Sequence, residues 1–168
     1  ARPHRAMTRL IGVVHLAALP GSPRAAVSLP EIIERAVADA RALAEGGADG
    51  LIVENFHDVP FLAERVEAHT VAAMTAACLA VRQSFGGELG VNVLRNDAAA
   101  ALGIASACEA QFIRVNVHSG AMLTDQGLVT GRADQTLRLR KQLGAEHIRI
   151  FADVLVKHAA PLAPLAIE

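Results

Sequence analysis

The chain is 168 residues long, 52% apolar and 20% charged, with a formal net charge of −1. That length can bury one substantial core, so a single domain is expected, and that composition excludes a disordered chain. A balance so close to neutral carries no basic footprint for nucleic acid.

Leu10–His15 (LIGVVH) is a short apolar run ending in a chemically capable residue, and it predicts the first strand. The Pro/Gly loop Leu16–Arg24 leads to a helix with Ser28 or Leu29 near its cap and Pro30 near its first turn. Ile32, Ile33, Ala36, Val37, Ala40, Leu43 and Ala44 recur at helical spacing on one face, and Gly46-Gly47 end the helix. Gly50–Asn55 (GLIVEN) predicts the second strand, followed by the loop Asn55–Phe61 (NFHDVPF). A second helix is expected from roughly His69 to Ser84, stopping before Gly86-Gly87. The third strand, within Leu89–Asp97 (LGVNVLRND), is expected to end at Arg95–Asn96–Asp97. There Asn96 or Asp97 can cap a short Ala-rich helix that ends near Glu109. Phe112–Val117 (FIRVNV) predicts the fourth strand, and the Gly-bearing insert His118–Gly131 predicts a small hairpin or flap. A fourth helix covers about Arg132–Leu143, Gly144 ends it, and a fifth strand within Ile148–His158 (IRIFADVLVKH) reaches Lys157–His158.

Parallel strands covered by helices read as apolar runs of this kind, and their ligands sit at the carboxyl ends of the strands. The alternation of strand and helix allows two α/β architectures. One is a segment of a (β/α)8 TIM barrel. A complete barrel takes ~250 residues, or roughly 30 per unit, so residues 1–168 read as a single incomplete barrel domain of about five βα units, lacking the last three. The other is a complete five-stranded flavodoxin-like sheet, whose sequence should finish with a fifth helix; here the last residues are HAAPLAPLAIE. An open sheet also concentrates its ligand at one switch point, whereas every strand end here carries polar residues. The barrel segment is the preferred expectation.

The longest apolar stretch, Val71–Val81, is too short for a bilayer, which needs roughly 18 residues. The basic N-terminus has neither a long apolar region nor an A-x-A site, so no signal peptide is expected. Cys78 and Cys108 lie far apart in Ala-rich helical stretches and form no C-x-x-C pair, so both read as buried free thiols, in keeping with a reducing compartment. A cytoplasmic location is expected, with peripheral attachment to a membrane left open.

The strand ends supply the chemistry. His15, Glu54, Asp153 and Lys157 are the candidate catalytic residues. Glu54, Asp153 or His15 suits general acid–base work, and Lys157 a Schiff base if desolvated, although such a lysine more often pairs with phosphate or carboxylate. Asn55, Asn92, Arg95, Asn96, Arg114, Asn116, Asp125, Gln126 and His158 are the candidate substrate-binding residues. Arg114 and Asn116 lie two apart and so point to one face of their strand. Charges facing the inside of a barrel need partners or a ligand, so Glu54, Arg114 and Asp153 belong either to a site or to an ion-pair network that only rigidifies the barrel. Glu54, Asp58, Asp125 and Asp153 could hold Mg²⁺, but no fixed ligand spacing supports it, and no metal site is assigned. The residues name no cofactor. Walker, G-x-G-x-x-G, G-x-S-x-G and HExxH motifs do not occur.

Five stretches in order, Gly12–Arg24 (GVVHLAALPGSPR), Gly47–Phe61, Gly90–Ala105 (GVNVLRNDAAAALGIA), Phe112–Gly131 and Ala152–Pro164 (ADVLVKHAAPLAP), resemble the BtpA/SgcQ family across nearly the whole chain. The resemblance implies a ribulose-phosphate-binding type of TIM barrel and carries the family's association with membrane-complex, specifically photosystem I, biogenesis. It also implies three further βα units in full-length members, where the usual barrel phosphate site lies after strands seven and eight. This chain then reads as a fragment of a longer product, without catalysis by itself.

Two functions follow as expectations. One is a barrel enzyme, a lyase, isomerase or hydrolase, binding or converting a small phosphorylated sugar or nucleoside-like metabolite. The other is a non-catalytic biogenesis or stability factor for a membrane complex, resting on the family resemblance alone. The first and fifth strands would be unpaired apolar edges, so a poorly soluble or self-associating chain, a homo-oligomer among the outcomes, is expected.

Overall fold

The computed structural model describes residues 9–163. In chain order these form β1 (Ile11–His15), α1 (Leu29–Glu45), β2 (Gly50–Glu54), α2 (Ala68–Ser84), β3 (Glu88–Asn92), α3 (Ala98–Ala107) and β4 (Phe112–Val115). The hairpin β5 (Ala121–Thr124) and β6 (Gly127–Thr130) follows, then α4 (Ala133–Gln142), β7 (Arg149–Ala152) and the two-residue β8 (Ala160–Pro161). Strands β1-β2-β3-β4-β7 make one parallel sheet in chain order, without the reversal that marks a doubly wound sheet. The described residues form no closed barrel. The insert is the expected hairpin; β8 adds a third strand to it along β5.

The helices start and stop for local reasons. Ser28 caps α1, its Oγ accepting the Glu31 amide at 3.4 Å, with Pro30 in the first turn. Gly47, at φ +88°, takes the left-handed turn into β2. Of the two candidate caps for α3 the structure uses Asp97: one carboxylate oxygen accepts the Ala100 amide and the other the Val66 amide, both at 2.9 Å. One side chain thereby caps a helix and fastens the loop before α2 to it.

Alternate strand residues go to opposite faces. Val14, Leu51, Val53, Leu89, Val91, Ile113 and Val115 form one face, and all four helices pack residues against it in a single core. The other face is layered by the strand register. Val13, Ile52, Gly90, Phe112 and Arg149 stand side by side in one layer, and His15, Glu54 and Asn92 in the next toward the carboxyl ends. Gly90 is required there: a Cβ would lie 2.1 Å from the ring of Phe112, which is itself buried and stacked on Phe151 at 4.6 Å.

Three strands are shorter than the sequence suggests. β3 ends at Asn92 rather than near Asp97, β4 at Val115 rather than Val117, and β7 at Ala152 rather than His158. In the first two, side-chain amides take over from the ladder: Asn55 brackets Leu94, and Asn96 brackets Val117. Beyond β7 the chain turns so that Val156 packs with Val117, Met122 and Val129 under the hairpin. Asp153 and Lys157, expected at the end of the fifth strand, therefore both lie beyond it.

Candidate functional site: a polar cluster at the strand carboxyl ends

Residues from β1, β2, β3 and the ends of β4 and β7 converge at the carboxyl end of the open face. Arg114 is the hub. Its Nε and Nη2 donate to the two oxygens of Asp153, each at 2.9 Å, and its Nη1 donates to Glu54 Oε2 at 3.3 Å. The fork-on-fork pairing with Asp153 gives fixed geometry as well as attraction. It also raises the pKa of the guanidinium above its ordinary value, hydrogen bonds to Asp153 outweighing desolvation. Glu54, only 4% exposed, has a second donor in Asn92 Nδ2 at 2.6 Å, and Asp153 has one in Asn116 Nδ2 at 2.9 Å. His15 Nε2 stands 3.7 Å from Glu54 Oε1, and its ring stacks on Phe56 with centroids 4.3 Å apart.

The expected site residues thus divide by position. The structure brings together His15, Glu54, Asn92, Arg114, Asn116 and Asp153. Asn55 and Asn96 lie beside this group, with their amides committed to backbone: Asn55 receives the Leu94 amide and donates to the Leu94 carbonyl and to Asp58, and Asn96 both donates to and accepts from Val117. Arg95 is buried and donates through Nη2 to the Lys157 carbonyl at 3.3 Å. Lys157 and His158 are exposed on the loop after β7, and His158 has a positive φ of 61°. Asp125 and Gln126 form the turn of the β5–β6 hairpin, and none of the cluster's hydrogen bonds among the described residues includes them.

Three residues outside the expected site set take part. Asp58, considered from the sequence only for a metal, accepts the Leu19 amide at 2.7 Å and the Asn55 amide at 3.1 Å, so it ties the loops after β1 and β2 together. Phe56 supplies the ring against His15, and His57 meets both edge-on. The signal was the compact NFHD run at the end of the second strand. Among the described residues no three His, Cys, Asp or Glu side chains are grouped to hold a metal ion.

Two cavities lie away from this cluster. One, of about 440 Å³, runs between β6 and the starts of α3 and α4, with the Arg132–Glu64 ion pair in its lining; the other, of about 310 Å³, lies under the loop carrying Pro60 and Phe61. Neither is lined by Glu54, Arg114 or Asp153. The cluster, with its ionisable groups on a surface that opens outward, is the stronger candidate. In the helical layer, Cys78 and Cys108 are buried and free as expected. Though far apart in sequence the thiols influence each other: the neighbouring Cys108 and burial raise the pKa of Cys78, and Cys78 lowers that of Cys108, whose Sγ lies 3.9 Å from the Ala105 carbonyl.

Fold and cluster together define an α/β protein whose sequentially ordered parallel sheet gathers charged and amide side chains at its strand carboxyl ends. The chain belongs to the BtpA family, whose model matches residues 6–168. It is 53% identical to the photosystem I biogenesis protein BtpA of Synechocystis, over 91% of this chain and 53% of that protein. It is 49% identical to an uncharacterised protein of Archaeoglobus fulgidus, over 93% of this chain and 62% of that one. An uncharacterised mitochondrial protein of Caenorhabditis elegans is 31% identical over 90% of this chain and 56% of its own length. The chain therefore spans little more than half the length of these relatives. No helix among the described residues is long and apolar enough to cross a membrane.

Proposed function

We propose that this chain is the first five βα units of a (β/α)8 barrel, and that the strand carboxyl ends bind a small phosphorylated sugar or nucleoside-like metabolite. The sheet supports the barrel reading by its chain-ordered strands and by helices that pack on one face only. The observation that carries the ligand reading is the Arg114 hub, with Glu54 at the end of β2 and Asp153 just past the end of β7 drawn onto it from either side. Residues from successive strands meeting at one end are what a barrel site is built from. In this reading Asp153 and Asn116 fix Arg114, Asn92 orients Glu54, and Glu54 with His15 beside it gives or takes a proton in the longer protein.

The test is a thermal-shift screen of the full-length protein with sugar phosphates, nucleosides and their phosphates. A ligand at a hundred times its Kd adds ~2.7 kcal/mol, a rise of several degrees. Silence across the panel would sink the reading.

The Synechocystis relative, a photosystem I biogenesis protein, favours a second reading, in which this protein assists assembly of a membrane complex without catalysis. A nematode, which has no photosystem, also carries a relative 31% identical, which weighs against photosystem I as a common partner. Unimpaired complex assembly with a Glu54→Gln, Arg114→Met, Asp153→Asn triple variant would favour the assembly role over the metabolite site.

A further inference from the structure

We propose that the polar cluster selects the uncharged, hydroxyl-bearing part of its ligand, with Asn116 Oδ1 and Glu54 Oε1 as the atoms that receive the hydroxyl protons. The inference rests on the metabolite-binding reading and narrows it to a polyol such as the open face of a pentose. Any phosphate on the ligand then lies outside this cluster.

Each donor nitrogen of the cluster's Arg114, Asn92 and Asn116 already has one carboxylate partner, with further N–H groups left over on the guanidinium and the amides. Arg114 points Nε and Nη2 at Asp153 and Nη1 at Glu54, while Asn92 and Asn116 direct their Nδ2 groups onto the same two carboxylates. Two acceptors of the cluster, by contrast, lack a donor among the described residues. Asn116 is 4% exposed, yet its Oδ1 has no hydrogen-bond partner among the described residues. Its Nδ2 is held on Asp153 Oδ2, so the orphaned oxygen is fixed within the cluster. Buried amide oxygens are nearly always satisfied, and one that is not is relieved by any donor that reaches it. Among the described residues Glu54 Oε1 accepts no hydrogen bond, its ion-pair neighbour His15 standing at 3.7 Å.

Charge points the same way. Two carboxylates face one guanidinium, a balance that disfavours a phosphate beside them. An ammonium would meet that charge but has no lone pair to accept from the N–H groups left over on Arg114 and the amides, whereas a hydroxyl both donates and accepts. The stacked rings of His15 and Phe56, inclined at 23°, offer a flat surface beside Glu54 on which the C–H face of a sugar ring can lie. Orphaned acceptors, a negative balance and a flat ring surface are jointly met by a polyol.

The experiment is NMR of the isotopically labelled full-length protein, following the side-chain amides of Asn92 and Asn116 and the Arg114 Nε–H. These are titrated separately with D-ribose, inorganic phosphate, ethylammonium and ribose 5-phosphate at constant ionic strength. Saturable shifts with ribose, and none with phosphate or ethylammonium, are expected. Asn116→Ala should weaken ribose binding about tenfold, equivalent to ~1.4 kcal/mol, and Asn116→Ser, which keeps an oxygen acceptor, should recover part of it. Undiminished ribose binding by Asn116→Ala overturns the assignment; should that variant not fold, the wild-type titrations decide. Shifts with phosphate or ethylammonium in place of ribose overturn the proposal and leave a ligand site at the strand ends. Silence toward all four probes overturns both.

Discussion

On the helix-covered face of the sheet, Val14, Leu51, Val53, Leu89, Val91 and Ile113 are completely or almost completely removed from solvent. On the opposite face of the same strands, Ile11, Val13 and Phe151 remain 37%, 39% and 38% exposed, and the far end carries Glu54, Arg114 and Asp153. One-residue alternation separates the two. The covered face holds the fold by apolar burial alone. The open face holds ion pairs whose worth depends on every member being present, because a buried charge left alone costs more than the pair gains.

That contrast can be broken most strongly from the covered side. Leu51→Ala should cost about 2–5 kcal/mol, since it leaves a cavity in a closed core, whereas Val13→Ala on the open face should cost a fraction of that. Urea midpoints of the two variants decide it, and equal losses would mean that the open face is covered in solution. Arg114→Met comes next, at about 2–4 kcal/mol, because Glu54 would keep its burial and lose its cation. This is the lower part of the range for buried pairs, the Arg114 side chain being 35% exposed. Adding Glu54→Gln should restore much of the loss, and simple additivity in the double-mutant cycle would count against the hub. Gly90→Ala should cost about 1–3 kcal/mol by driving a methyl group into the Phe112 ring.

Smaller effects sharpen the picture at the amino end of the open face. Arg149 and Arg9 hold Glu88 below the usual carboxylate range, Arg149 contributing most. A lowered folded pKa gives stability that is fully present above the unfolded value of ~4.3 and lost as pH falls through the folded one. Glu88→Gln should therefore lose a little stability at neutral pH, with the difference from the unmutated chain vanishing as pH falls through the folded pKa, which flattens the acid side of the stability profile. Last, β1 and β7 pair on one side only among the described residues. Light scattering should show mass rising with concentration, and a monomer throughout would mean that these edges are shielded.

Much of this arrangement was legible in the residues. The five apolar runs became the five parallel strands, Gly46-Gly47 and the Gly86-Gly87 pair fell where helices end, and the insert became a hairpin. Strand ends were misjudged at Arg95 and at Lys157 because apolar residues continue past the last ladder bond. Local pattern cannot tell Val93 or Val156 in a buried loop from the same residue in a strand.

The sequence alone determined the α/β class, the helix and strand order and the polar character of the strand ends, since hydrophobic period and turn chemistry are local properties. Only the tertiary structure decided that Glu54, Asn92, Arg114, Asn116 and Asp153 form one network while Asn55 and Asn96 serve the backbone. Those side chains are up to 99 positions apart in the chain (from Glu54 to Asp153), and their meeting depends on the register of four strand pairings that no local pattern encodes.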